Sequence, residues 1–366
     1  MTADADALRA AFTSWLAVRL DATDLAVTSF ERPAGGRSND TFLVGAEWTA
    51  ADGPRVDRLV VRVQPQTTQI FRAPDVMREA HVLQGLERGG VRVPHVRWCE
   101  ADTAALGAPF FVMDEVKGNV PLARPSIHAA GWLPTLTVAE LGTLWSSALD
   151  TLVAVHAVDW RRNHAFLLGE TAGTSTVEYV ERIAEWYRWS TEGRPYPITD
   201  AALDHVLERS HEVVDTEPVL VWGDARVGNM IFGDDGQVAA AIDWETASIG
   251  PPEIDVAHWL FFDEFATGAI DVAPLPGWPD AEETVRTYEA RSGRTLHDLD
   301  LFQTIEELFI AITLIRQADA RVARGLASAD TRMGHDNAVT QMLARRLGLP
   351  VPELSPDYIA HRGGTA

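Results

Sequence analysis

Apolar and polar residues are patterned differently in the two parts of this 366-residue chain. Between 26 and 115 the pattern is mostly that of strands. "DTFLVGAEW" (40–48) and "DRLVVRVQP" (57–65) are β-rich runs separated by a turn signal containing Asp-Gly-Pro. "APDVMREAHVLQGLERGG" (73–90) places Val76, Met77, Ala80, Leu83 and Leu86 at helical spacing, with Pro74 near its start and glycines at its end, which predicts a helix. "PHVRWCE" and "APFFVMDEV" predict two further strands. Beyond about residue 121 the helical period takes over, predicting helices at 139–158, 177–189, 200–213, 254–265, 301–325 and 336–347. Short β runs interrupt it only in "VWGDARVGNMIFGDDGQVAAAIDWE" (221–245). There is no internal repeat and no low-complexity segment. The fold class is therefore α+β. A β-rich N-terminal lobe (1–115, with an N-terminal helix and one helix beside its sheet) leads through a connector (116–123) into a larger, mainly helical lobe (124–366).

Composition narrows the function classes. The chain is 46% hydrophobic and 23% charged, as in an ordinary globular protein. One cysteine, Cys99, rules out an internal disulfide and a multi-cysteine metal site. The start has no basic region ahead of an apolar stretch, and runs such as 309–315 are short. We therefore expect no signal peptide, no membrane insertion and a cytoplasmic location. A net charge of −22 argues against a nucleic-acid polymer as partner. It could steer a cationic substrate, but keeping the chain in solution is the simpler reading. Of 31 basic side chains Lys117 is the only lysine, leaving 30 arginines. Lys117 is followed by Gly118, so a Gly-Lys-Ser/Thr phosphate loop is impossible.

The candidate chemistry lies in 221–245. Asp224 and Asn229 fall on the loop between two short apolar β runs, and Asp243 ends a third. That order brings two carboxylates and an amide oxygen toward one point, a hard-oxygen set suited to Mg²⁺ with phosphate and water. A carboxylate left over can orient an attacking hydroxyl and accept its proton. These are the parts that phosphoryl transfer needs.

Gly223-Asp224-x4-Asn229 followed by Asp243 resembles the catalytic core of the aminoglycoside phosphotransferase and choline kinase-like family. More narrowly it is similar to the phosphotransferase domains associated with acyl-CoA dehydrogenases and to actinobacterial proteins of aminoglycoside phosphotransferase type. "GGRSNDTFLV", "VVRVQP", "MREAHVLQGL", "LGAPFFVMDEVKG", "VAVHAVDW" and "IGPPEIDVA" resemble further family segments in order along the chain. The resemblance implies a bilobal protein-kinase-like fold and an ATP- and Mg²⁺-dependent transfer of a γ-phosphate to a small-molecule hydroxyl. It implies Asp224 as catalytic base and Asn229 and Asp243 as metal ligands, with Glu245 nearby. Ser38 and Asn39 would lie over the phosphates, Arg62 and Glu79 would form the ion pair at the nucleotide, and the backbone of Asp114 and Val116 would meet the adenine. Asp255 would brace the catalytic loop from below. Two positions depart from the family pattern. Trp222 stands where His is common, and Arg62 stands where many relatives carry Lys.

Simpler readings stand beside these. Gly35-Gly36 also suits a plain hairpin turn, and Arg62–Glu79 a structural ion pair. His128, His156 and His258 show no metal-ligand spacing and read as structural or exposed. Trp186, Tyr187 and Trp189 read first as core. The acceptor is left between two classes. An aminoglycoside would require converging carboxylates, for which Glu178, Glu181, Glu185, Asp263 and Glu264 are candidates. A hydroxyacyl or lipid-like acceptor, slightly preferred on the resemblance, would use an apolar channel, with 127–136 and the tryptophan-rich helix as candidates. The rival from another class is a catalytically inactive nucleotide-binding scaffold.

Overall fold

A computed structural model of the chain describes residues 2–33, 40–66, 70–122, 124–169 and 173–361. Ser38 and Asn39 lie outside the described residues. The first lobe contains α1 (Thr2–Leu20), β1 (Ala26–Glu31), β2 (Asp40–Ala50), β3 (Gly53–Val63), α2 (Val76–Arg88), β4 (Val96–Glu100) and β5 (Phe110–Asp114). The strands form one antiparallel sheet in the order β1-β2-β3-β5-β4. β2 and β3 pair without a break from Asp40↔Val63 to Ala50↔Gly53. They run past the 40–48 and 57–65 expected of them, because only Ala51 and Asp52 are needed to turn the chain. One sheet face buries Phe42, Val44, Leu59, Val61, Phe110 and Val112 against Phe12 and Leu16 of α1. α2 covers the other face. Asp75 caps it, its carboxylate accepting from the Arg78 N–H at 3.0 Å. Its apolar stripe of Val76, Ala80, Leu83 and Leu86 packs with Val96, Phe111 and Met113.

The larger lobe follows as α3 (Val138–His156), α4 (Trp160–Asn163), α5 (Thr176–Thr191), α6 (Pro197–Ser210), β6 (Val219–Val221), β7 (Met230–Phe232), β8 (Val238–Ala241), β9 (Ser248–Gly250), α7 (Glu253–Phe265), α8 (Ala281–Ser292), α9 (Leu299–Ala323), α10 (Ala338–Arg346) and α11 (Pro356–His361). The expected helices form within a few residues of their sequence positions. α8 was not anticipated, because only Thr284 and Tyr288 of its twelve residues are buried and its apolar period is weak. α9 is the central strut, packed by α5, α6, α7 and α10 around Ile305, Leu308, Ile312 and Ile315.

One expectation needs correcting. By length and apolar content α3 is sufficient to cross a bilayer, so short apolar runs do not describe the whole chain. In this fold α3 turns Leu144, Ala148, Leu149, Leu152 and Val155 into the core, against β6, β8 and α8.

The two lobes share a continuous apolar core running from α2 through α3 to the β7–β8 hairpin. Across the connector, the Asn119 N–H donates to the Phe232 carbonyl at 2.8 Å and the Phe232 N–H returns to the Asn119 carbonyl at 2.9 Å. Gly118 permits that approach. Its φ is +152°, and a Cβ there would lie 2.5 Å from the Phe232 carbonyl oxygen.

Candidate active site

Hairpin register assembles the site. Met230 pairs with Ala241, and the Ile242 N–H donates to the Asn229 carbonyl at 2.9 Å. Asn229 is thereby fixed one residue from Asp243. The Asn229 side-chain N–H₂ donates to the Asp224 carbonyl at 3.0 Å, so its Oδ1 is the acceptor left over. Trp222, fully buried, closes the third side. Its indole N–H lies 3.1 Å from both the Ile242 and the Asp243 carbonyls, and its ring stacks on Trp244 at 4.6 Å with planes 13° apart. Hydrogen bonds between backbone and side chain thus tie Asp224, Asn229 and Asp243 into one constellation. Standing where His is common, the indole fills space and donates.

Beneath the loop, Asp255 is completely buried. Its two oxygens accept the Trp222 N–H at 2.6 Å and the Gly223 N–H at 2.7 Å, and His156 Nε2 lies 2.9 Å from Oδ2. Gly223 has φ +83°, and a Cβ would meet Thr246 at 2.7 Å. The turn before Asp224 is built around that glycine.

Asp243 itself sits at φ +67°, a left-handed conformation that costs a non-glycine residue on the order of 1 kcal/mol. Such strain is concentrated at functional sites. Its side chain is 31% exposed, and its Oδ1 faces Arg62 Nη2 at 3.4 Å. The same Nη2 lies 3.0 Å from Glu79 Oε2. The expected ion pair is therefore present, and Arg62 also reaches the proposed metal ligand. Burial raises the Glu79 carboxyl to about 7, against the opposing pull of Arg62. Arg62 Nε is buried without a partner.

The Asp224 carboxylate is 25% exposed and held by two cations. Arg226 Nε donates to Oδ1 at 2.8 Å, and His258 Nε2 lies 2.8 Å from the same oxygen. Burial acts to raise the Asp224 pKa, but Arg226 and His258 outweigh it and lower it well below the usual carboxylate range. Arg226 was not singled out from the sequence, and His258 was read there only as structural or exposed. Arg226 carried a readable signal, a cation two residues after Asp224. His258 did not, since it enters from α7, 34 positions away. Of the two readings of His258, structural or exposed, the first holds: it is buried, and it also touches the proposed base. His156 braces Asp255, and His128 is buried away from both.

At the end of β5, the Asp114 N–H already donates to the His95 carbonyl at 2.9 Å. That N–H is therefore not available to a base, a narrower role for the Asp114 backbone than expected. The Val116 N–H makes no hydrogen bond among the described residues. Glu245 is half-buried, and its charge acts on Arg62. Among the described residues, no three His, Cys, Asp or Glu side chains form a metal cluster. Asn229 Oδ1 and the Asp243 carboxylate nevertheless fit a cation that completes its shell with phosphate and water.

The carboxylates proposed for a polycationic acceptor sit in different surroundings. Glu178 is spent in the α5 capping box, accepting the Ser175 N–H at 3.1 Å and its hydroxyl at 2.7 Å. Glu181, Glu185 and Glu264 are exposed. Burial raises Asp263 to about 7. The 127–136 segment is held against the connector and β7, with the Trp132 ring 6.1 Å from Phe232. Phe71, Trp186 and Phe309 instead form an aromatic wall between the lobes, with Trp186 and Phe309 centroids 4.9 Å apart and Phe71 5.4 Å from Trp186. Tyr187 is core, as expected, its hydroxyl donating to Asp200 at 2.6 Å.

Comparison with known proteins bears on the family and the fold. The model of the phosphotransferase enzyme family matches residues 29–293. The human acyl-CoA dehydrogenase family member 11 is 27% identical over 230 residues, covering 62% of this chain and 27% of that protein. Mouse acyl-CoA dehydrogenase family member 10 is 26% identical over 227 residues, covering 61% of this chain and 19% of that one. The chain thus matches about a quarter or less of those relatives' length. Among solved structures, a Ralstonia eutropha protein of aminoglycoside phosphotransferase type superposes with a TM-score of 0.65 at 22% identity, over 92% of this chain and 98% of its own. An aminoglycoside phosphotransferase bound to ADP and hygromycin B superposes with a TM-score of 0.57 at 16% identity, over 91% and 98%. At these identities the superpositions establish the bilobal kinase-like fold.

Proposed function

The chain belongs to the phosphotransferase enzyme family, and from that premise we propose that it is an ATP- and Mg²⁺-dependent kinase for a small-molecule hydroxyl. The observation that carries this reading is the joining of Asp224, Asn229 and Asp243 by the β7–β8 register and the Trp222 indole. Asn229 Oδ1 and the Asp243 carboxylate would hold the metal, and Mg²⁺ bound there supplies charge neutralisation on the triphosphate. Arg62, oriented by Glu79, would contact the phosphates as a planar fork. The Asp114 carbonyl and Val116 N–H would meet the adenine edge.

Asp224 would accept a hydrogen bond from the acceptor hydroxyl and aim its oxygen at the γ-phosphorus. As the new O–P bond forms, the bond from the γ-phosphorus to the β,γ-bridging oxygen breaks, and ADP leaves with that electron pair. The hydroxyl proton passes to Asp224. With Arg226 and His258 stabilising its anion, Asp224 is a weak base. Its main work is positioning, and the proton moves late, which suits a loose transition state. Arg226 adds positive charge where the phosphoryl group crosses.

For the acceptor, the wall of Phe71, Trp186 and Phe309 favours an apolar, hydroxyacyl-type molecule over a polycationic aminoglycoside. The hygromycin B complex of the structural relative keeps the aminoglycoside class in the test. A screen of ADP release against hydroxyacyl-CoA, hydroxy acids, aminoglycosides and amino alcohols decides between them. Release with an apolar hydroxyacyl acceptor is expected; release with aminoglycosides alone would reverse the acceptor assignment.

A further inference from the structure

Behind Asp224 lies a second carboxylate that the transfer itself does not require. His258, on α7, uses both ring nitrogens. Nε2 stands 2.8 Å from Asp224 Oδ1, and Nδ1 stands 2.8 Å from Glu306 Oε2 on α9. His258 and Glu306 are each 1% exposed. Ionised carboxylates only accept hydrogen bonds, and a neutral imidazole has only one N–H. Two ionised carboxylates at hydrogen-bond distance on opposite ring nitrogens call for the doubly protonated imidazolium; burial pushes the Glu306 carboxyl up, and the hydrogen bond and charge of His258 pull against that. Glu306 is itself fastened, its Oε1 lying 3.4 Å from the Tyr179 hydroxyl of α5. The Phe262 ring packs 4.9 Å from the imidazole and 4.8 Å from the Arg226 guanidinium, shielding both cations on the side of α7. The result is a line of alternating charge from the surface of the cleft into the core of the lobe.

We propose that Glu306 and His258 form a buried anion–imidazolium pair that holds the Asp224 carboxylate in its working orientation, making both of them positioning residues for the phosphoryl transfer. The inference rests on the reading of Asp224 as the group that orients the acceptor. Arg226 meets both Asp224 oxygens, Nε at 2.8 Å from Oδ1 and Nη2 at 3.5 Å from Oδ2, but it lies two residues along the same loop and moves with it. A second donor on Oδ1, from a rigid helix, anchors the carboxylate outside that loop. The groups facing the imidazole are Asp224 from the catalytic loop and Glu306 from α9, with Arg226 beyond Asp224, and Tyr179 of α5 and Asp255 of α7 beyond Glu306. Burial works against the charged ring, but the hydrogen bonds it donates to Asp224 and Glu306 prevail and raise its pKa to about 9. Deprotonation leaves one of the two carboxylates facing a ring lone pair, so the ring no longer ties Asp224 to Glu306 and α9. The transfer rate of the wild type should then fall on the alkaline side.

The test joins a spectroscopic and a kinetic readout on the full chain. Nitrogen-detected imidazole NMR should show His258 doubly protonated at pH 7, titrating near pH 9. In Glu306→Gln, which keeps an acceptor of the same shape without its charge, that titration should fall by about one pH unit or more. The alkaline limb of kcat should fall with it, while KM for ATP stays within about 2-fold. His258→Gln, which keeps an N–H but has nothing to titrate, should be slower yet lose the limb altogether. A neutral imidazole in the wild type at pH 7 would overturn the pair. An imidazolium with the same alkaline limb in wild type and both variants would overturn the positioning role. A wild type that neither transfers to any acceptor nor hydrolyses ATP would defeat the kinase reading and the positioning role with it, while the NMR would still judge the pair.

Discussion

Asp255 offers the sharpest perturbation, because its contacts are few, short and completely buried. Replacing it by Ala leaves the Trp222 and Gly223 N–H groups without acceptors in a space closed to solvent. Each orphaned N–H costs about 1–3 kcal/mol, so the two together predict a loss of roughly 2–6 kcal/mol. His156 also loses its 2.9 Å partner, which places the expected value in the upper half of that range. Asp255→Asn keeps one acceptor oxygen but turns an N–H₂ toward the second N–H, so roughly half the loss is expected. Urea denaturation followed by tryptophan fluorescence measures both, with the m-value checked for constancy. Under conditions where the variants remain folded, kcat should fall more than KM, because the strand-to-loop turn that aims Asp224 is released. A change within about 0.5 kcal/mol for Asp255→Ala, the range of an ordinary surface substitution, would refute the reasoning. A larger loss for Asn than for Ala would refute it as well.

Three further outcomes follow from the same geometry. Asp243→Ala removes the proposed metal carboxylate, so isothermal titration should show nucleotide affinity that no longer responds to Mg²⁺; an unchanged Mg²⁺ response would remove Asp243 from the site. Arg62→Ala leaves Glu79 buried without its 3.0 Å partner and should weaken ATP binding by about 10-fold or more, with Arg62→Lys intermediate; equal affinities would make the pair merely structural. The third concerns pH and stability. The His258 ring is raised to about 9 in the folded state against its ordinary value of 6.5, so the folded state binds the extra proton between those limits. Its stabilisation, roughly 3 kcal/mol by linkage, is complete below about pH 6.5 and is lost as pH rises through 9. His258→Gln should flatten the wild-type decline over that interval, and an identical decline in both would contradict the assignment.

Much of the site was legible in the sequence because it is local. Asp224, Asn229 and Asp243 fall within twenty residues, and the polar turn between "MIF" and "QVAAAID" announces the hairpin whose register joins them. Arg62 and Glu79 sit at fixed places on a strand and a helix that periodicity reveals. What was not legible depends on distant elements. His258 reaches Asp224 only because α7 runs beneath the loop, and Glu306 reaches His258 only because α9 crosses α7. Neither packing has a sequence period of its own. Glu178 was misjudged for a different reason: "STVE" (175–178) is a readable capping box, and a carboxylate bound to its own helix N-terminus is not free for a ligand. α8 was hidden by its polarity, since a helix that buries two side chains leaves little apolar rhythm.

The central claim is that Asp224 orients the acceptor while Asn229 and Asp243 hold the metal nucleotide. Its most direct test is ADP release by Asp224→Asn beside the wild type, with Mg²⁺-ATP affinity measured on the same preparations. The account predicts a kcat lower by about 10²–10⁴-fold with nucleotide affinity nearly unchanged. Equal turnover by the two proteins would contradict it.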